Sequence, residues 1–381
     1  MKKRQPKLQQ LTTIRLLLAL ATNENLHVHQ MDVKAAYLNG RLDEDIYMKL
    51  PSGSKVKNGN QKVCKLNKSL YGLKQSGRVW YETFVNEIKK EGFKSIYDEA
   101  CLFYSDKNDA IICVYVDDLL IISKDIKIVE EIKCLLSNKL EMKDMGVVSQ
   151  MLGIKINYNQ DKGLTTLDMS GYIKRSLIKF NLENVRMYKM PIEPNYEYSV
   201  KHTPQTQDEL LEMKNKPYAA AVGTLNWIAM TTRPDIAFAT NICGRYASNP
   251  GIKHWNLVKR IFGYLKRTID LKINYKRSND KIKGYTDADF AGCTDTRKST
   301  TGYAFTLAGG PISWNSKRQK CVSMSTAEPE YIAIGNGVKE ALWLRKKTAH
   351  INRPFKEGTE IYTDNTTAYQ NIKSNVITGS G

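Results

Sequence analysis

The run Ile111-Ile112-Cys113-Val114-Tyr115-Val116-Asp117-Asp118-Leu119-Leu120-Ile121-Ile122 constrains the fold more than any other stretch of the chain. Two apolar segments flank two adjacent carboxylates, and strand-like runs separated by two residues signal a tight hairpin. The spacing predicts Asp117 and Asp118 at the tip, where Asn-Gly is the usual pair. At about 4 Å and an effective dielectric near 20, two such charges repel by about 4 kcal/mol. A solvated turn tolerates the pair by leaving both in water. A metal site tolerates it by neutralising them, and hard carboxylate oxygens suit Mg²⁺, which takes one or two carboxylates plus substrate phosphates. The hairpin alone leaves both readings open.

The residues upstream decide between them. His27 to Tyr37 reads as a strand ending in Asp32, followed by a turn into a helix-like segment. Two-metal phosphoryl transfer needs a third carboxylate from another strand beside the hairpin pair. Asp32, 85 residues before Asp117, supplies it. The segments QMDVKAAYLNG (30–40), LYGLKQSGRVWY (70–81) and VYVDDLLII (114–122), in that order, resemble the polymerase core of a copia-type LTR retrotransposon reverse transcriptase.

Composition agrees with that resemblance. The 381 residues suffice for two or three domains. A net charge of +19 and a pI near 9.4 suit a polyanionic partner. The seven cysteines are scattered without a Cys-x-x-Cys pair, which predicts reduced thiols in an intracellular protein. Lys2, Lys3 and Arg4 ahead of Leu16–Ala21 imitate a signal peptide, but the apolar run is short and Arg15 interrupts its approach. Leu11, Ile14, Leu18 and Ala21 instead predict an amphipathic helix packed on the polymerase palm. No segment reaches 18 uninterrupted apolar residues, so no membrane span is expected.

The fold class expected is α+β. Residues 11–158 form a reverse-transcriptase palm core with incomplete fingers, 159–278 a thumb and connection region, and 279–381 a C-terminally truncated, ribonuclease H-like α/β module. Within the first segment, a loop rich in Gly, Lys and Asn spans 52–61. A helix carries Trp80, Phe84 and Ile88 on one face with Gly92 as its stop, and a second carries Val129, Ile132 and Leu136. Met151-Leu152-Gly153 resembles the strand pair that grips the primer end, although an ordinary palm strand would read the same way. The connection, with Trp227, Arg233, His254 and Trp255, reads chiefly as core packing.

A second chemical centre begins near 282. Lys283–Phe290 reads as a strand bearing Asp287 and Asp289, then comes a hairpin turning at Ala308-Gly309-Gly310. Ser325 or Thr326 caps a helix with Glu328, Pro329 and Glu330 in its first turn. Glu360–Tyr362 is a strand leading to Asp364. The ordered segments YTDADFAG, RKSTTGY, STAEPEY and YTDN resemble the copia-type ribonuclease H. That likeness assigns two-metal catalysis to Asp287, Glu330 and Asp364, with Glu328 as the alternative glutamate that would only stabilise the helix N-terminus.

For the polymerase, the resemblance implies RNA-directed DNA synthesis with Asp32, Asp117 and Asp118 holding two Mg²⁺, or Mn²⁺ in their place. Lys74, Gln75 and Arg78 would contact template and nascent pair, Met151 and Gly153 the primer end, and Tyr37 the incoming sugar. Glycine at 77 would loosen the template-supporting turn. Implied partners are an RNA template, a DNA primer, the RNA/DNA hybrid, deoxynucleoside triphosphates and other parts of a retroelement polyprotein, with no membrane. The implied location is the cytoplasm, in a virus-like particle, and the nucleus as a further compartment. Fingers are expected upstream of Leu11, and a histidine and another acid beyond Asp364. Their absence leaves a catalytically silent remnant that still binds nucleic acid as the alternative.

Overall fold

The computed structural model describes residues 7–54, 62–96, 99–194 and 197–374. The basic residues Lys2, Lys3 and Arg4, most of the loop at 52–61 and the chain end at Gly381 lie outside them. Two compact units result: residues 1–25, 149–348 and 354–381 make one, and 26–148 with 349–353 make the other. Both mix helices with sheets, an α+β architecture.

The first unit opens with α1 (Lys7–Glu24), in which residues 11–22 are all buried. The helix is therefore not the one-faced element that the spacing of Leu11, Ile14, Leu18 and Ala21 implied. Its polar residues find partners inside the same unit. The Arg15 guanidinium donates to the carbonyls of Met230, Thr231 and Ile312 at 2.6, 3.0 and 2.8 Å and lies 3.9 Å over the Trp314 ring. Thr22 bonds the Leu18 carbonyl and the Thr165 hydroxyl. Within its own unit, α1 packs on the elements at 164–168, 273–276 and 310–318.

The second unit is built on a six-stranded sheet. Its members are β1 (His27–Val33), β4 (Lys94–Ile96), β5 (Glu99–Ser105), β6 (Ala110–Tyr115), β7 (Asp118–Ser123) and β8 (Met142–Val147), in the order β4-β5-β6-β7-β1-β8. A short hairpin pairs β2 (Tyr47–Lys49) with β3 (Val63–Lys65). Two helices, α2 (Ser76–Lys90) and α3 (Ile126–Lys139), bury the stripes read in the sequence: Trp80, Phe84 and Ile88 on one, Val129, Ile132 and Leu136 on the other. These residues form one core with Met31, Val33, Phe103, Ile112 and Leu119. Gly92 has φ +82°, the left-handed C-terminal stop that glycine accommodates without a Cβ clash. Beneath the β1–β8 edge, buried Lys133 bridges Glu130 and Asp144 at 2.9 and 3.0 Å.

The remainder of the first unit holds two four-stranded sheets. One orders β9 (Gln150–Met151), β10 (Ile154–Asn159), β11 (Leu164–Asp168) and β12 (Ile273–Lys276) as β12-β11-β10-β9. The other orders β13 (Lys283–Ala288), β14 (Thr300–Leu307), β15 (Gly310–Arg318) and β16 (Glu360–Tyr362) as β15-β14-β13-β16. The β14–β15 loop is Ala308-Gly309, both at positive φ, so the hairpin expected there forms with a two-residue turn. Between β11 and β12 in sequence run α4 (Ser170–Lys179), α5 (Gln207–Lys214), α6 (Tyr218–Thr231), α7 (Ala237–Arg245) and α8 (Ile252–Arg267). The long α9 (Ala327–His350) and α10 (Thr366–Ser374) flank β16. No helix among the described residues is long and apolar enough to cross a membrane.

Candidate active sites

In the second unit, strand register assembles the acids. Antiparallel pairing of β1 with β7 sets Asp32 opposite Asp118. Pairing of Tyr115 with Asp118 makes Val116-Asp117 the two-residue loop. The hairpin tip is therefore one residue earlier than the Asp-Asp turn read from the sequence, and Asp118 is already the first residue of β7. The shift leaves Val116 at φ +59°, a left-handed conformation costly for a β-branched residue, by about 1–3 kcal/mol. Two bonds hold it there: the Trp80 indole donates to the Val116 carbonyl at 2.6 Å, and the Val33 amide donates to the Asp117 carbonyl at 2.8 Å.

Asp118 is half-buried, and burial pushes its carboxyl above the ordinary carboxylate range. The charges of Asp117 and Asp32 push the same way, against a hydrogen bond from Gln30. The Gln30 amide, 5 % exposed, donates to Asp118 Oδ1 at 3.0 Å, and its buried Oε1 has no partner among the described residues. A carboxyl whose proton affinity is raised beside two further aspartates, next to an orphaned buried acceptor, is a donor that a hard divalent cation would satisfy.

Around the tip, Tyr37 lies in a 3₁₀ turn (Ala36–Asn39) entered through Ala35 at φ +50°. Its ring meets that of Tyr71, centroids 4.6 Å apart. Partial desolvation and then Asp117, Tyr37 and Asp32 raise the Tyr71 phenol, so Tyr71 shares the field of the aspartates. Sequence reasoning passed over Gln30 and Tyr71, although both lie inside the segments that carried the resemblance. Lys74 and Arg78 are exposed and Gln75 half-buried on the entry to α2, and Arg78 stands 3.9 Å from Glu82. The turn before α2 is tied down despite Gly77, because the buried Ser76 hydroxyl donates to the Leu70 carbonyl at 2.5 Å. Met151 and Gly153 belong to the other unit. Met151 is buried at 1 % exposure, and Gly153 is exposed at φ +76° in the β9–β10 turn.

The first unit holds a tighter acid cluster. Asp287 is the penultimate residue of β13, which pairs antiparallel with β14 and parallel with β16. The parallel register sets Tyr285 beside Tyr362, their rings stacked at 5.3 Å, and brings Asp364 alongside Asp287. Glu330 enters from the first turn of α9. Two turns on, Gly337 lets that helix approach β13, since a Cβ there would meet the Thr286 methyl at 2.5 Å. Ligand oxygens of Asp287, Glu330 and Asp364 all lie within 4.8 Å of one another. Among the described residues this triad alone meets that spacing, and Asp32, Asp117 and Asp118 do not.

Burial raises the Glu330 carboxyl, and Asp287 and Asp364 add to the shift against one opposing bond, the Ala288 amide to Oε1 at 3.3 Å. Its other oxygen is buried without a partner among the described residues. The neighbouring acids have other work. Exposed Glu328 accepts the Met324 amide at 2.7 Å at the helix entry, and Asp289 accepts the Thr300 amide and packs on Gly292, where a Cβ would strike its carboxylate. A cavity of about 500 Å³ opens beside Asp287, walled by Phe238, Tyr285 and Trp314.

Comparison with known proteins supplies the context for these acids. A family model described as reverse transcriptase (RNA-dependent DNA polymerase) matches residues 4–194. The Pol polyprotein from transposon TNT 1-94 of Nicotiana tabacum is 42 % identical over 96 % of the chain, which covers 28 % of that relative. The Pol polyprotein from transposon RE1 of Arabidopsis thaliana is 33 % identical over 93 %, covering 24 % of it. A transposon Ty5-1 protein of Saccharomyces cerevisiae is 32 % identical over 81 % of the chain and is covered along its whole length. The chain belongs to the reverse transcriptase family. It matches the reverse-transcriptase region of copia-type Pol polyproteins and spans about a quarter of the length of the Pol polyproteins above. The family match contains Asp32, Asp117 and Asp118, whereas Asp287, Glu330 and Asp364 lie beyond it.

Proposed function

We propose that the chain is an RNA-directed DNA polymerase with an attached ribonuclease H activity. Polymerase chemistry resides in a palm core at 11–158, the thumb and connection lie at 159–278, and the ribonuclease H module at 279–381. The observation that carries the reading is the cross-strand opposition of Asp32 and Asp118, with Asp117 at the hairpin tip beside them, inside a reverse-transcriptase sequence match.

At the polymerase site, Asp32, Asp117 and Asp118 would hold the metal ions. When bound, two Mg²⁺ (or Mn²⁺) ions lower the pKa of the primer 3′-hydroxyl and neutralise charge on the triphosphate. The chain's own residues set the geometry: register fixes Asp32 against Asp118, Gln30 orients Asp118, and Trp80 and Val33 pin the tip. Tyr37, whose ring is backed by Tyr71, would exclude a ribose 2′-hydroxyl. Lys74, Gln75 and Arg78 serve the template, and Met151 and Gly153 the primer, Met151 through its backbone. The second triad, Asp287, Glu330 and Asp364, suits metal-assisted hydrolysis of the RNA strand of a hybrid.

Partners in this reading are an RNA template, a DNA primer, deoxynucleoside triphosphates and the remaining polyprotein, in the cytoplasm within a virus-like particle and in the nucleus. Primer extension on an RNA template with Mg²⁺ tests it, set against Asp117→Asn and Asp32→Asn. Extension should vanish in both variants while nucleic-acid binding persists. Undiminished extension by Asp117→Asn would refute the assignment. Salt-sensitive binding without extension by any form would favour the catalytically silent remnant.

A further inference from the structure

A third site, sharing no residue with either acid cluster, lies against α8. Along that helix Lys253, Asn256 and Arg260 fall at i, i+3 and i+7, one stripe, with Lys259 beside it. The chain segment after α4 crosses this stripe and adds Arg186 and Tyr188, enclosing a cleft of about 630 Å³. That volume is within the range of about 300–1,000 Å³ typical of small-ligand sites.

The cleft is preformed. Lys266 donates to the carbonyls of Glu183 and Val185 at 2.5 and 3.3 Å, clamping the crossing segment to α8. Gly263 permits that crossing, since a Cβ would lie 2.0 Å from the Arg186 carbonyl oxygen. The Tyr188 ring then holds both guanidiniums, with Arg260 at 4.5 Å and Arg186 at 5.6 Å from its centroid. Four cations converge here against one carboxylate among the described residues, Glu193, which stands 3.8 Å from Arg260. Arg260 Nε is buried with no hydrogen-bond partner among the described residues. A cation cluster lining a half-open cleft, set against a single carboxylate among the described residues, calls for a compact multivalent anion. Arginine forks match phosphate oxygens, and lysine ammonium groups add point charge.

We propose that this cleft binds a phosphomonoester, as the terminal phosphate of a nucleic-acid strand or the phosphate tail of a free nucleotide. A singly charged internal phosphodiester would leave most of the cluster unneutralised, whereas a dianion or polyphosphate matches it.

The test is fluorescence anisotropy with the full chain in EDTA, which removes divalent-metal-dependent binding at either acid cluster. One oligonucleotide is used with a 5′-phosphate and with a 5′-hydroxyl, and dATP serves as competitor. The phosphate should tighten binding about tenfold, as expected for two or more charge-assisted bonds, or dATP should displace the probe. Either effect should disappear in Lys253→Glu/Lys259→Glu and in Arg260→Gln. Displacement by dATP identifies the nucleotide as the source, and discrimination between the two oligonucleotides without displacement identifies the strand end. Thermal unfolding verifies that each variant folds, and the exposed single variant Lys253→Glu serves if the others do not. Equal affinity for both oligonucleotides with no displacement would overturn the proposal. So would an advantage that survives in every folded variant.

Discussion

Gln30 donates its side-chain amide to Asp118 across two neighbouring strands, 3.0 Å from nitrogen to oxygen, at a site where three aspartates meet. The bond orients the half-buried acid and favours its ionised form against burial and two neighbouring charges. Replacement by leucine removes a hydrogen bond to a charged group, worth about 1.5–3 kcal/mol. Gln30→Leu should therefore cut primer extension roughly 10- to 100-fold. The acid limb of its pH profile should move to higher pH, because Asp118 then holds its proton more tightly. An unshifted profile with equal loss at every pH would make Gln30 a packing residue only.

Tyr37 and Tyr71 act as a pair. Tyr37→Val should raise ribonucleotide incorporation relative to deoxyribonucleotide by about tenfold, a difference of about 1.4 kcal/mol. Tyr71→Ala should move the ratio the same way but less, since it removes the ring that backs Tyr37. Single-nucleotide incorporation with paired substrates measures both. A constant ratio with falling activity would place both rings in the core.

The Glu330 carboxyl is costly to the fold when ionised. Its folded-state pKa is raised, so the native state binds the proton more tightly than the unfolded chain. Its stabilising contribution is present below the unfolded value and is lost as pH rises through the folded one. Glu330→Gln should raise Tm at neutral pH by about 2 °C, corresponding to roughly 1 kcal/mol, while abolishing hybrid cleavage. Mg²⁺ should raise Tm less in the variant than in the parent, since it loses one ligand. Calorimetry with and without Mg²⁺ reads both effects.

His254 carries the opposite sign. The ring is fully buried, stacked 4.0 Å from Tyr246, and accepts the Gly251 amide while its other nitrogen meets the Ser199 carbonyl at 3.1 Å. Burial holds its pKa below the ordinary imidazole value. The unfolded chain thus takes up the proton first, and stability should fall as pH drops below about 6.5. His254→Asn should flatten that acid limb in urea titrations at pH 5.5 and 7.5.

Arg15 joins α1 to the body of the first unit. Burial lowers its pKa to about 10, leaving it charged at neutral pH. Arg15→Met strands three carbonyls at about 1–3 kcal/mol each. Tm should drop by roughly 10 °C, measured by circular dichroism.

The sequence exposed what local pattern and register encode. Continuous apolar runs on either side of two carboxylates located β6 and β7, and helical spacing located the buried stripes of α2 and α3. Glu328 and Glu330 share the first turn of one helix, so the preference for Glu330 came from the ribonuclease H likeness and not from periodicity. The hairpin tip was misplaced by one residue because propensity argues against valine at positive φ, and only the tertiary bonds from Trp80 and Val33 hold Val116 there. The surroundings of α1 were illegible for a similar reason. Arg15 looks like the polar edge of an amphipathic helix until the carbonyls 215 to 297 residues away are in view. Gln30 and Tyr71 were missed because an isolated polar or aromatic residue carries no periodic signal. The basic cleft went unseen because its cations come from segments some 70 residues apart.

The most direct measurement separates the two acid clusters on one substrate, an RNA template annealed to a DNA primer, with Mg²⁺ present and both extension and RNA cleavage recorded. Asp117→Asn should abolish extension and keep cleavage, and Asp287→Asn should abolish cleavage and keep extension. Loss of both activities in either variant, or of neither, would contradict the assignment of two independent metal-dependent centres to the two triads.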